Sequence, residues 1–298
     1  MSSVSEGSAP DAAAPSASNA ARPQLALAAS IDRAFERAKD EGRICLIPYV
    51  MAGYPDAASS QALALGLARA GADVIELGVP FSDPLADGVT IQHAGQVALQ
   101  GGMRLSGVLA LAEAIHRQVA TPLVLMGYYN PLLAFGLEHF CEAAAAAGVA
   151  GLIVPDLPPE EAEPLLQAAQ QSGLCLIFLV TPTSPPERIR RVAEAVHTQG
   201  SGFVYCVSLS GVTGARSDLP SHLQEFLARV RAQIRLPLAV GFGVSTPAHV
   251  AQLAQMADGA VVASKLINLL DQTPGPQGIA ETLRYFEALR PAARRSAQ

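Results

Sequence analysis

Short apolar runs alternate with longer amphipathic stretches along this chain. The runs fall at residues 45–50, 74–77, 123–126, 151–154, 175–180, 203–207, 238–240 and 260–262. They are too short for helices and apolar on both faces, as parallel strands covered on both sides must be. Ala/Leu-rich stretches with helical spacing lie between them, for example 60–70, 105–119, 138–147, 159–171 and 219–234. Gly71, Gly148 and Gly173 stand just before the next run, where a glycine closes a helix. Ahead of the first run, Ile31, Ala34, Phe35 and Ala38 recur at helical spacing behind Ser30. That spacing predicts an amphipathic helix capped by the serine.

Eight strand–helix units predict an α/β fold, a single (β/α)8 TIM barrel with an extra N-terminal helix. An open doubly wound sheet is the alternative; it would use fewer strands and a GxGxxG after the first, which this chain lacks. The barrel domain is expected over residues 25–290. Residues 1–24 are mostly Ala, Ser and Pro and predict a disordered tail. They lack the apolar core of a signal peptide, and Glu6 and Asp11 beside a lone Arg22 do not suit a transit peptide. Residues 291–298 read as a short solvated tail behind a helix stop at Pro291.

Composition narrows the function classes. Half of the 298 residues are hydrophobic and the net charge is −6, with no basic block, so no nucleic-acid partner is expected. No apolar run approaches the roughly 18 residues needed to span a bilayer, so no membrane is expected either. Cys45, Cys141, Cys175 and Cys206 are scattered, which predicts buried thiols in a reducing cytoplasm. The histidines form no HExxH and no Cys/His cluster, so no metal site is expected.

Chemistry concentrates between Val74 and Gly88. Glu76 interrupts an apolar strand run, and an unpaired charge there costs several kcal/mol. Asp83 and Asp87 follow in a Gly/Pro loop. By strand alternation Glu76 shares a face with Val74, while Ile75 and Leu77 share the other. If the latter pair meets the outer helices, Glu76 points into the barrel near its catalytic rim. It is then either an acid–base group or an interior carboxylate paired with an arginine. Asp83 is a functional acid or a loop cap.

The segment Glu76-Leu77-Gly78-Val79-Pro80-Phe81-Ser82-Asp83-Pro84-Leu85-Ala86-Asp87-Gly88 closely resembles the signature of the tryptophan synthase alpha chain family. Pro48-Tyr49-Val50-Met51-Ala52-Gly53-Tyr54-Pro55 resembles its first strand and loop. Leu125 to Pro131, Val154 to Pro158, Ser210 to Gly214 and Gly241 to Val244 resemble later pieces in the same order. The resemblance implies a barrel that cleaves indole-3-glycerol phosphate to indole and glyceraldehyde 3-phosphate. It implies no cofactor in this chain and a beta-chain partner, in an alpha2beta2 assembly, that holds pyridoxal phosphate and condenses the indole with serine.

A retro-aldol cleavage takes a proton from the glycerol hydroxyl and delivers one to the indole carbon. One carboxyl with a raised pKa can do both in turn, which suits Glu76. The resemblance makes Asp87 the carboxylate at the indole N–H, the Asp83 loop a neighbour of the partner chain, and Thr213 a residue that holds Asp87. The only lysines, Lys39 and Lys265, lie off the barrel strands, which disfavours a Schiff base. Tyr205 is expected near Glu76, or as plain interior. Tyr128 and Phe242 line an indole pocket or the core, and Tyr49 is expected at the substrate.

Phosphate binding is expected at Gly214, Gly241, Gly243 and Ser264, at the ends of strands six to eight. The family usually has Gly-Ser where this chain has Ala263-Ser264, and Lys265 adds a charge nearby. Residues 208–216 have the composition of a mobile lid. Three other readings remain open: a free-standing lyase, an isomerase or synthase on a related phosphorylated intermediate, and a regulatory barrel that activates a partner.

Overall fold

The computed structural model describes residues 21–207, 222–241 and 243–295. Its strands are β1 (Cys45–Met51), β2 (Ile75–Gly78), β3 (Leu123–Met126), β4 (Val149–Ile153), β5 (Cys175–Ile177), β6 (Leu179–Val180), β7 (Val204–Val207), β8 (Leu238–Gly241) and β9 (Gly259–Val262). All pairings among them are parallel, in the order β5-β4-β3-β2-β1-β9-β8-β7-β6. The expected fifth strand is divided at Phe178. Its first half pairs with β4 and its second with β7, so this one stretch joins the two ends of the sheet into a barrel.

Strand alternation separates two cores. Ile75, Leu77, Leu125, Leu152, Leu176, Cys206 and Val240 pack outward against the helices. Cys45, Ile47, Val74, Val124, Ile153, Ile177, Tyr205, Ala239 and Val261 fill the interior. The first helix, Ala21–Asp40, adds Ile31, Ala34, Phe35 and Ala38 to that interior cluster. The four apolar positions therefore form the predicted stripe and plug the barrel's N-terminal end. Asp32 fastens the plug by accepting hydrogen bonds from Gly202 N–H at 2.8 Å and the Ser201 hydroxyl at 2.6 Å.

Two expectations at the chain's ends are corrected. Ser30 is not an N-cap: the helix already runs from Ala21, and the serine hydroxyl bonds back to the Leu27 carbonyl inside it. The solvated tail expected at 291–298 is anchored to the barrel over its described part, 291–295, although Pro291, Arg294 and Arg295 stay exposed. Arg290–Ala293 form a 3-10 turn with Ala293 fully buried. The Ala293 carbonyl accepts the Ile44 N–H at 3.0 Å, and Arg295 reaches Asp258 at 3.0 Å. The start of β1 needs an acceptor there, and the C-terminal segment supplies it. The helix expected over 159–171 begins at Glu163, because Pro158 and Pro159 hold a turn in which Glu161 N–H bonds the Pro158 carbonyl at 3.0 Å.

Gly71, Gly148 and Gly173 close their helices with φ of +96°, +79° and +74°, the left-handed geometry the sequence pattern asks for. All four cysteines are buried free thiols. Among the described residues no helix is long and apolar enough to cross a membrane, and no group of side chains is arranged to hold a metal.

Candidate active site

Glu76 lies on β2 between Tyr49 of β1 and Val124 of β3, on the interior face it shares with Val74. It is 1% exposed, and neither carboxylate oxygen has a hydrogen-bond partner among the described residues. Asp73, three positions earlier and equally buried, shows the contrast. Its carboxylate takes the Arg43 guanidinium at 2.6 and 2.9 Å and the Leu46 N–H at 2.9 Å. The chain supplies a cation to one buried acid and withholds it from the other. Burial, with the nearby charge of Asp87 second, pushes Glu76 up to about 8.

Asp87 sits in the turn after β2, where its N–H bonds the Pro84 carbonyl at 3.0 Å and its carbonyl accepts from Gln92 at 2.9 Å. Burial raises its carboxyl to about 6, against the pull of a hydrogen bond with the Tyr128 side chain. The Tyr128 hydroxyl also accepts the Ala86 N–H at 3.0 Å, and its ring stacks on Phe81 at 5.2 Å between centroids. Tyr128 is thus the post that shapes the Asp87 loop, a role that sequence reading missed. A tyrosine placed after a neighbouring strand carries no local signal of such a bond. Asp83 is exposed and accepts a hydrogen bond from the Ser82 hydroxyl.

Two further tyrosines line the rim. Tyr205, on β7, is 5% exposed and lies over Gly241, at the end of β8. Tyr49, on β1, is 4% exposed and lies over Gly78, at the end of β2. In each case a Cβ on the glycine would overlap the phenol, so the two glycines admit the two rings. Both hydroxyls stay protonated, because burial comes first and the charges of Glu76 and Asp87 add to it.

The anticipated phosphate groups fall on adjacent strands. Gly241 ends β8, Gly243 follows at φ +79°, and Ser264 opens the helix Ser264–Gln272 directly after β9. No side chain caps that helix. Its first N–H groups are the ordinary anion-binding end of a helix. Lys265 turns away over the Tyr285 ring, 5.9 Å from its centroid, and Lys39 is exposed on the plugging helix. Thr213, Gly214, Phe242 and the expected lid at 208–216 lie outside the described residues, apart from which the predicted site residues gather at the C-terminal ends of the strands.

Comparison with known proteins identifies the family. A family model described as tryptophan synthase alpha chain matches residues 35–293. The Chloroflexus aurantiacus tryptophan synthase alpha chain is 49% identical over 266 residues, covering 89% of this chain and 98% of that protein. The Roseiflexus castenholzii protein of the same name is 51% identical over 257 residues, 86% of this chain and 97% of the relative. A structure of Mycobacterium tuberculosis tryptophan synthase superposes with a TM-score of 0.81 at 41% identity, over 89% of this chain and 98% of that one. The alpha chain from Legionella pneumophila gives 0.80 at 34% identity, over 89% and 97%.

Proposed function

Because the chain belongs to the tryptophan synthase alpha chain family, we propose that Glu76 moves the protons of its reaction while Asp87 holds the developing charge. The reaction is that of a carbon–carbon lyase, cleaving indole-3-glycerol phosphate to indole and glyceraldehyde 3-phosphate. The observation that carries the assignment is Glu76 itself, a carboxyl buried in the barrel with no cation and no hydrogen-bond partner among the described residues.

Burial separates the two acids. With values of about 8 and about 6, Glu76 is protonated and Asp87 ionised at neutral pH. Glu76 gives its proton to the indole carbon that bears the glycerol chain. The ring becomes cationic, and the charge moves toward the nitrogen, where the Asp87 carboxylate stabilises it. Glu76, now a carboxylate, removes the hydroxyl proton of the adjoining glycerol carbon. The oxygen's electrons form the aldehyde, the carbon–carbon bond breaks, and its pair returns to the ring. Glu76 ends protonated, ready for the next turnover. Tyr205 and Tyr49 bound the indole pocket, and Gly214, Gly241, Gly243 and Ser264 receive the phosphate through backbone N–H groups.

The partner is a tryptophan synthase beta chain, and the assembly we propose is alpha2beta2 in the cytoplasm, with pyridoxal phosphate held by the beta chain and no cofactor in this one. Leu85, Val89 and Leu133, 93%, 65% and 53% exposed, support a docking face after β2 and β3. The test is Glu76→Gln: indole release should nearly vanish while binding of glycerol phosphate persists. Near-normal turnover would sink the assignment.

A further inference from the structure

Tyr49 and Glu76 are directly opposite each other on β1 and β2. The Tyr49 hydroxyl reaches past Glu76 and rests over Gly78, so closely that no side chain fits at that position. Glu76 and Gly78 share the interior face and lie two residues apart, about 7 Å along the strand. Gly78 is the last residue of β2, and the chain leaving it carries Asp87. The phenolic oxygen therefore stands at the root of the Asp87 loop, one step above Glu76.

Its hydrogen bond goes to Met51 Sδ at 3.8 Å. A thioether is a weak acceptor, and a buried phenol ordinarily finds a better one. The charge it feels most is that of Asp87, then Glu76. The titratable groups facing this space among the described residues are Glu76 from β2, Tyr49 from β1, Tyr128 from the loop after β3 and Tyr205 from β7. Of these, Tyr128 already bonds Asp87.

We propose that Tyr49 is a positioning residue for Asp87: with substrate bound, its hydroxyl leaves the Met51 sulfur and donates to the Asp87 carboxylate from the side opposite Tyr128. A second donor fixes the carboxylate against the ring N–H and keeps it ionised beside the protonated Glu76. This inference rests on the role proposed above for Asp87. A phenylalanine at this position would fill the same space and lack the donor.

The test is Tyr49→Phe, which removes one oxygen and keeps the ring. Losing a donor to a charged acceptor should raise the acid limb of the kcat profile, which reports the substrate complex, by about half to one pH unit. At neutral pH kcat should fall about three- to tenfold with KM nearly unchanged, since the bond acts on the transition state. An unmoved acid limb, or a loss confined to KM, overturns the proposal. Should Tyr49→Phe fold too poorly to assay, Gly78→Ala displaces the same hydroxyl and must give the same upward shift; its absence overturns the proposal equally. Asp87→Asn separates the two levels. If that variant keeps the acid limb, the role of Asp87 is wrong; if only the Tyr49 variants keep the limb unmoved, the fault lies with Tyr49.

Discussion

The phenol of Tyr205 occupies the space that a side chain at Gly241 would need. The glycine at the end of β8 is thus required from two directions, by the ring packed over it and by the phosphate proposed beside it. Gly241→Ala should force the Tyr205 ring to tilt inside a closed core, costing about 1–3 kcal/mol by overpacking. Gly95→Ala is the contrast: inside the helix Val89–Gln100 its Cβ meets only the Met51 methyl at 3.4 Å. It should be neutral or stabilising by up to about 1 kcal/mol. Urea denaturation of the two variants checks the pair, and equal effects would refute the steric account.

Glu76 ties stability to pH. In the unfolded chain it releases its proton near 4.5, whereas folded it holds it to about 8. Between those values the native state binds the extra proton, so stability is full below 4.5 and falls as pH rises toward 8. The slope approaches about 1.4 kcal/mol per pH unit. Asp87 has the same sign but acts between 3.8 and about 6. Denaturation at pH values between about 6.5 and 8 therefore isolates Glu76. Glu76→Gln should gain on the wild type as pH rises through that window, and parallel curves would contradict the raised carboxyl.

The same two groups predict a bell-shaped profile. In the proposed mechanism Asp87 is ionised and Glu76 protonated, so kcat/KM should rise with an acid limb near about 6 and fall with a basic limb near about 8. Asp87→Asn should lose the acid limb along with most turnover, while phosphate binding is spared. An effect on binding alone would remove Asp87 from the chemistry.

Much of this was legible in the sequence because it depends on alternation. The position of Glu76 followed from the parity of Val74, Ile75 and Leu77, and the interior and exterior clusters divide these residues as expected. Glycines closing helices were legible for the same reason, since one residue type meets a local backbone demand. What the sequence hid are contacts between strands. Nothing near Tyr128 announces its bond to Ala86, and nothing near Gly78 announces that Tyr49 lies over it. The anchoring of Arg295 was hidden because its acceptors, Gly42 and Asp258, come from distant elements. Only the closed barrel brings them together.

Lys265 places a charge next to the expected phosphate site in the sequence, yet its ammonium lies over the Tyr285 ring. A cation–π contact of this kind contributes about 0.5–1 kcal/mol at an exposed site. Lys265→Met should therefore lose a fraction of a kcal/mol in stability and leave the affinity for glycerol phosphate unchanged. A large drop in that affinity would show that the lysine swings to the phosphate.

Exposed apolar side chains are ordinary when scattered. Leu85, Val89 and Leu133 all follow the adjacent strands β2 and β3, the first two in or next to the loop that carries Asp87. A beta chain seated there would cover the leucines and sit next to the catalytic turn. Burying one leucine fully contributes about 1.5–3 kcal/mol, and a charge in its place would be stranded at the interface. Leu133→Asp lies on the helix Tyr129–Phe135, clear of the proposed catalytic groups. It should weaken association with a cognate beta chain by about tenfold or more. The isolated chain should release indole as before. Calorimetric titration against the beta chain and the isolated turnover assay read the two effects separately. Undiminished affinity would move the docking face elsewhere, and lost turnover in the isolated chain would mean that Leu133 supports the site rather than the partner.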